Sequence, residues 1–293
     1  MKKIQSDPKN NPDILTNTEY TPQNNRQRIP ETPVCSREAV KALAARRPHC
    51  IRRLFMDEQS VKEFGELCSY LAREHKLYRI AREDELQKLS GTVHHQGVVA
   101  MIEDTKLQPL SVEDAQMLNK SSNIILLDDI GDDHNIGAIA RTAAFFGFDS
   151  IILTGNKTKL TPGMYRVARG GIEYLSMYYA ESAASIISAC PHQLKIAAAA
   201  HGGRAINEAL KQFAYPVNHT KQKPGCILVL GNEEHGLSQE ALAACPIHVT
   251  IQGKGTLESL NVTQAAAILM NELISWLTRS AYTTYHKTQR TKR

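Results

Sequence analysis

The sequence predicts an α/β protein in which a parallel sheet covered by helices follows a smaller α/β unit. From Asn123 onward, short continuous apolar segments alternate with segments of helical period, the pattern of strands buried on both faces. Residues 34–105 show the same alternation on a smaller scale, after a polar stretch without periodicity. Three polar, glycine-bearing loops then follow strands, which predicts one site at the carboxyl ends of a sheet.

Residues 1–33 are rich in Asn, Gln, Pro, Thr and Lys, and a disordered arm is expected there. The small unit, 34–105, reads as helix 37–47, strand 50–56, helix 60–75, strand 76–81, short helix 83–89 and strand 96–103. Residues 106–122 carry a proline and little pattern and are assigned to an inter-domain linker. The large unit, 123–278, offers strands at 123–130, 150–154, 194–200, 226–231 and 247–251. Helices are expected at 135–148, 181–190, 205–213 and 238–244. The last helix begins near Val262, where Val262, Ala266, Leu269, Leu273 and Trp276 recur at three- and four-residue steps. Ser259 or Asn261 is placed to cap it. Residues 279–293 form a basic tail.

The chain has 293 residues, enough for about two domains, and 42% of them are hydrophobic, enough for an ordinary core. No apolar run approaches the ~18–20 residues of a membrane span. The first twenty residues lack the apolar segment of a secretory signal, and Asp7, Asp13 and Glu19 argue against a transit peptide. The six cysteines form no C-x-x-C pair and read as reduced thiols of a cytosolic protein, with no metal site. His94 and His95 are adjacent, which on a strand points them to opposite faces.

Net charge is +5, and its distribution is uneven: +3 over residues 1–110, −3 over 111–278 and +5 over 279–293. Basic ends suit a polyanionic partner, or simply a solvated surface. In the small unit, Arg37, Lys41, Arg46, Arg47, Arg52 and Arg53 stand against one nearby acid, Glu38. They read equally as a phosphate-binding cluster or as an ordinary basic helix face.

The first loop, GDDHNIGAIAR (131–141), contains Asn135, a potential helix cap, and Gly137, whose missing side chain would let a partner approach the backbone. Arg141 lies one turn beyond Gly137 on an otherwise apolar helix and needs an anion. That anion is either Asp128 or Asp129 in a buried ion pair, or a phosphate or hydroxyl that the guanidinium orients. The second loop, GNEEHGLS (231–238), lacks the Gly-Lys-Ser/Thr ending of a phosphate loop, and Glu233 and Glu234 would repel phosphate. No G-x-G-x-x-G fingerprint is present, which disfavours a nucleotide-dependent oxidoreductase. The third loop, 253–261, carries Ser259-Leu260-Asn261.

Taken together, N-x-G-x-x-x-R-x-A (Asn135–Ala143), L-G-x-E-x-x-G-L-S (Leu230–Ser238) and S-L-N-V (Ser259–Val262) resemble the SpoU/TrmH family of RNA ribose 2′-O-methyltransferases, of the SPOUT superfamily. The small unit is similar to that family's ribosomal-protein-like RNA-binding module, and H-Q-G-V-V-A (His95–Ala100) closes it as in many relatives. The resemblance implies a parallel α/β sheet ending in a trefoil knot. It implies S-adenosyl-L-methionine held by the backbone around Leu230, Gly231, Ile251 and Leu260. It also implies a homodimer packed through the knot and C-terminal helix, and rRNA or tRNA as substrate. Arg141 is then the group that activates the ribose hydroxyl, with Asn135, Glu233, Ser259 and Asn261 shaping the site.

The chain departs from many relatives in reading Asp132-Asp133-His134-Asn135 where they carry Asp-Pro before x-Asn. It reads Ala168-Arg169-Gly170-Gly171 where they carry Ser-x-Gly-Ala. The competing expectation is a non-catalytic RNA-binding or ribosome-associated protein that keeps the fold.

Overall fold

A computed structural model describes residues 30–103, 106–211, 225–257 and 259–290, with backbone alone over 279–290. The small unit begins with β1 (Glu31–Cys35), followed by α1 (Arg37–Arg46), β2 (Ile51–Met56), α2 (Gly65–Arg73), β3 (Leu77–Ile80), α3 (Glu83–Ser90) and β4 (Val98–Glu103). Its sheet runs β1-β4-β2-β3, with β4 antiparallel to both β1 and β2 and β3 parallel to β2. The first strand starts inside the stretch assigned to the arm; Thr32 and Val34 are buried in it, too little alternation for a periodicity reading to detect. Residues 1–29 lie outside the described chain. The helix expected at 60–75 is shorter, because residues 59–64 form turns before α2.

The expected linker is not a plain connection. It holds β5 (Gln108–Pro109) and the short α4 (Val112–Gln116), capped by Ser111. The large unit continues with β6 (Asn123–Asp128), α5 (Asp133–Phe146), β7 (Ser150–Leu153), α6 (Pro162–Ala168), a 3-10 turn at Gly171–Tyr174 and β8 (Ser176–Tyr179). Then come α7 (Ala183–Ala189), β9 (Leu194–Ala198), α8 (Ile206–Lys211), β10 (Cys226–Gly231), α9 (Gln239–Ala244), β11 (Ile247–Val249) and α10 (Val262–Arg290). The last helix runs through most of the segment expected as a basic tail.

The large sheet has the order β11-β9-β10-β6-β7-β8-β5 and every pairing in it is parallel. Side chains alternate across it. Ile125, Leu127, Leu228 and Leu230 enter one core, whereas Ile124, Leu126, Ile227 and Val229 enter the other. That two-sided burial is why these strands read as unbroken apolar runs. The first core continues from Val34, Val40 and Leu43 of the small unit to Ile136, Ala140 and Met164 of the large one, so apolar burial joins the two.

One charged contact also fastens them. Arg47 donates from Nε and Nη2 to both oxygens of Glu173 at 2.7 and 2.9 Å, and to Tyr165 Oη at 3.2 Å. Glu173 is buried, and its hydrogen bond raises the Arg47 pKa against the opposing desolvation. Gly170, at φ +88°, lies on α1, where a Cβ would meet Ala42 Cβ at 2.7 Å. A Cβ on Gly171 would meet Arg141 Cα at 2.9 Å. The Gly-Gly pair therefore lets the 3-10 turn wedge between α1 and α5.

Candidate active site

Two neighbouring strands, β6 and β10, bring their carboxyl ends together, with Gly231 in register with Asp128. The loop after β10 folds tightly: Asn232 and Gly236 exchange two backbone hydrogen bonds of 2.9 Å. Asn232 Oδ1 accepts from the amides of Glu234 and His235, and its Nδ2 donates to Asp129 O at 2.8 Å. A Cβ on Gly231 would stand 2.3 Å from Gly236 C, so the glycine is needed for the loop to close on itself. Buried Asp128 pins the loop's far end, accepting from Ser238 N at 2.9 Å and Ser238 Oγ at 2.7 Å. Its other oxygen accepts from Thr154 Oγ1 at 3.1 Å.

The site forms where this loop meets the start of α5 and the start of α10. Asn135 Nδ2 donates to Glu233 Oε1 at 2.6 Å, and Asn261 Nδ2 donates to Asn135 Oδ1 at 3.5 Å. Three residues from three distant segments thus form one polar chain. Asn261 caps α10, accepting from Thr263 N at 2.8 Å and Thr263 Oγ1 at 2.7 Å. Ser259 is exposed beside it. The cap of α5 is not Asn135 but Asp132, which accepts from His134 N at 2.8 Å; Asn135 sits three residues later, with its side chain free to reach Glu233.

One further expectation is corrected, and for Arg141 one of its two alternatives falls away. Gly137 is buried against α6, where a Cβ would meet Met164 O at 2.7 Å, so its close partner is a helix of the chain itself. Arg141 is exposed on α5 and, among the described residues, pairs with neither Asp128 nor Asp129. Among the described residues no hydrogen bond or ion pair ties it to the Asn261–Asn135–Glu233 chain; Asn135 stands six positions earlier on α5, about 9 Å along the axis.

The basic cluster of the small unit is largely neutralised. Arg52 pairs with Glu103, Arg53 with Glu31, Arg37 and Lys41 with Glu63, and Arg47 with Glu173. Arg46 stacks over Tyr174 at 5.6 Å. Folding brought up acids distant in sequence, which a count along the chain could not see.

Beside the start of α5, Asp133 accepts from Lys157 Nζ at 2.6 Å and Thr161 Oγ1 at 2.7 Å. Desolvation pushes its pKa up, but these bonds and the lysine charge outweigh it and leave the carboxyl below its ordinary value.

The third loop presents Leu257 and Leu260 to solvent, and a Cβ on Gly253 or Gly255 would meet open space. Among the described residues, no backbone hydrogen bond engages Ile251–Leu257. Half-buried Ile251 packs against the core, and buried Leu230 is the penultimate residue of β10. Apolar side chains with uncommitted backbone edges suit a flat heterocycle carrying polar edges, such as adenine. Cys226 is wholly buried, and desolvation pushes its thiol up to about 12, so it serves the core and not the chemistry.

A parallel α/β sheet with this loop set defines a class, and comparison with known proteins gives it a family. Residues 122–271 match the SpoU rRNA methylase family, and residues 37–108 match the RNA 2′-O ribose methyltransferase substrate-binding domain. The chain belongs to the SpoU rRNA methylase family. It is 27% identical to an uncharacterized tRNA/rRNA methyltransferase of Escherichia coli O157:H7, over 84% of this chain and 69% of that one. It is 30% identical to the 23S rRNA (guanosine-2′-O-)-methyltransferase of Acinetobacter baylyi, over 66% of this chain and 75% of the other. Its fold is similar to that of the SpoU methyltransferase AviRb of Streptomyces viridochromogenes in complex with AdoMet. That match has a TM-score of 0.62 at 21% identity and covers 84% of this chain and 90% of the other.

Proposed function

We propose that this chain is an S-adenosyl-L-methionine-dependent methyltransferase acting on a ribose 2′-hydroxyl of RNA. The observation that carries the reading is the hydrogen-bonded chain Asn261–Asn135–Glu233 at the carboxyl ends of β6 and β10, in a member of the SpoU family. Leu230, Gly231, Ile251 and Leu260 would hold the cofactor, largely through their backbone groups. The cofactor supplies a methyl group already activated on a sulfonium, so the protein's work is alignment and charge. Asn135, fixed at both ends, and Ser259 would position the ribose. Arg141, with no carboxylate to neutralise it, would place positive charge beside the oxygen as its proton leaves.

The ribosomal RNA activity carried in the Acinetobacter relative's name favours rRNA over tRNA. The family resemblance supports a knotted carboxyl-terminal segment and a homodimer. Phe145 of α5 is 82% exposed and Ile268 of α10 is 42% exposed, on helices that pack together, and a second copy would cover them. The reduced cysteines favour a cytosolic setting, and no helix among the described residues is long and apolar enough to cross a membrane. A non-catalytic RNA-binding role leaves the intact polar chain without a use.

The test is to map 2′-O-methyl sites in RNA from cells with and without the gene. The expected result is one or a few ribose methylations that vanish on deletion. Identical maps would count against the proposal.

A further inference from the structure

A cleft of about 380 Å³ opens between the two units, away from the polar chain described above. It is lined by Glu83, Val93, His95 and Gln96 from the small unit and by Arg166 and Arg169 from the large one. We propose that this cleft is a phosphate subsite, in which His95, Arg166 and Arg169 hold a backbone phosphate of the RNA strand that leads into the methyl-transfer site. The proposal deepens the reading above and rests on it for the identity of the strand.

The first support is an unsatisfied buried donor. His95 is 1% exposed, and its Nδ1 accepts from Gly97 N at 3.2 Å. A neutral imidazole that accepts at Nδ1 carries its proton on Nε2. That Nε2 lies 3.1 Å from Glu83 Oε1, yet in a geometry that makes no hydrogen bond, and it has no other partner. A buried N–H without an acceptor is unfavourable, and a ligand oxygen would satisfy it.

Charge gives the second. Arg169 is exposed at the end of α6 and no carboxylate pairs with it among the described residues, unlike Arg37, Arg47, Arg52, Arg53 and Arg79. Arg166 reaches His134 Nε2 at 3.1 Å, and His134 immediately precedes Asn135 of the polar chain. The cleft is therefore linked to the proposed active site through one side-chain contact. Glu83 is the single acid in the lining, and its side chain, 75% exposed, is free to swing into water.

Backbone strain gives the third. Ser36, Gln96 and Arg169 hold positive φ values of 88, 55 and 45°, and all three line this cleft. Such conformations are strained and concentrate where a site must be shaped. The partner this chemistry recognises is a phosphodiester, because the lining offers donors and cations, with exposed Val93 at its edge.

The experiment uses the full chain. RNA affinity is measured by fluorescence anisotropy with labelled RNA at several salt concentrations, alongside cofactor affinity and inorganic phosphate titration. Arg169→Asn keeps a residue tolerant of positive φ while removing the charge. It should weaken RNA binding about tenfold and lower the salt slope by roughly one, with cofactor affinity and melting temperature unchanged. Glu83→Gln should tighten binding a few-fold, a gain that a folding defect cannot produce. Parent-like affinity and salt slope in both variants, in a chain that still methylates RNA, would overturn the cleft and leave the enzyme reading intact. If the parent binds neither cofactor nor RNA, yet binds inorganic phosphate in a way that Arg169→Asn abolishes, the anion subsite stands and the enzyme reading fails.

Discussion

Asn135 of α5 and Glu233 of the loop after β10 are joined by a 2.6 Å hydrogen bond across 98 residues of sequence. The bond fixes which way the Asn135 amide faces, since its Nδ2 must donate to the carboxylate and its oxygen then turns to Asn261. Replacing Glu233 by Gln sets an amide of either orientation against that arrangement. Glu233→Gln is expected to lower the methyl-transfer rate about tenfold or more through misalignment. Melting should move by the equivalent of ~1 kcal/mol or less, because Glu233 is exposed. Single-turnover kinetics and a thermal melt on one preparation check both.

Arg141 is exposed and has no carboxylate partner among the described residues, so its removal strands no buried charge. Arg141→Ala should leave the melting temperature unchanged and cut the transfer rate ~10²-fold, the scale of a positioned catalytic group. Lysine should rescue poorly, as a point charge does not reproduce the guanidinium fork. A marked fall in melting temperature with a normal rate in the folded fraction would assign Arg141 to structure.

Much of this was legible in the sequence, for reasons visible in the fold. The inner strands β6, β7 and β10 are buried on both faces and announce themselves as apolar runs, and β9 and β11 keep enough apolar residues to read as strands. β8 did not, because Ser176-Met177-Tyr178-Tyr179 lies near the edge of the sheet and none of its side chains is fully buried. β5 is two residues long and exposed, which no periodicity can register. The motifs located Asn135, Glu233 and Asn261, but only folding shows that they touch. The cap of α5 was misplaced because Asp132 and Asn135 are equally able caps by residue type. Arg47 read as a surface cation because its partner, Glu173, is 126 residues away.

Arg47 and Glu173 yield a stability prediction. Arg47→Ala leaves a buried carboxylate uncompensated and should destabilise the protein by about 3 kcal/mol or more. Denaturant titration measures the loss. Glu173→Gln, which keeps a neutral hydrogen-bonding group, should cost less. Equal stability of parent and Arg47→Ala would show that apolar packing alone joins the two units.

The Lys157–Asp133 contact makes part of the stability dependent on pH. The folded Asp133 pKa lies below its ordinary value of 3.8, so its stabilisation is present above that pH and is lost as pH falls through the lower, folded value. Asp133→Asn should therefore melt below the parent at pH 7, with the gap closing as the solution is acidified below 3.8. Thermal melts from pH 7 to pH 2 follow it; a gap that widens in acid would contradict the assignment.

Methyl transfer to a ribose oxygen has a direct chemical reading in alkali. A 2′-O-methyl group blocks the attack that cleaves the adjacent phosphodiester. Full-length protein is incubated with cofactor labelled in the methyl group and RNA from cells lacking the gene, and the product is hydrolysed in alkali. The label should appear in alkali-resistant dinucleotides for the parent and be lost to ~1% of that level in Arg141→Ala. Label recovered in mononucleotide bases, or no transfer by a parent protein that binds the cofactor, would contradict the account.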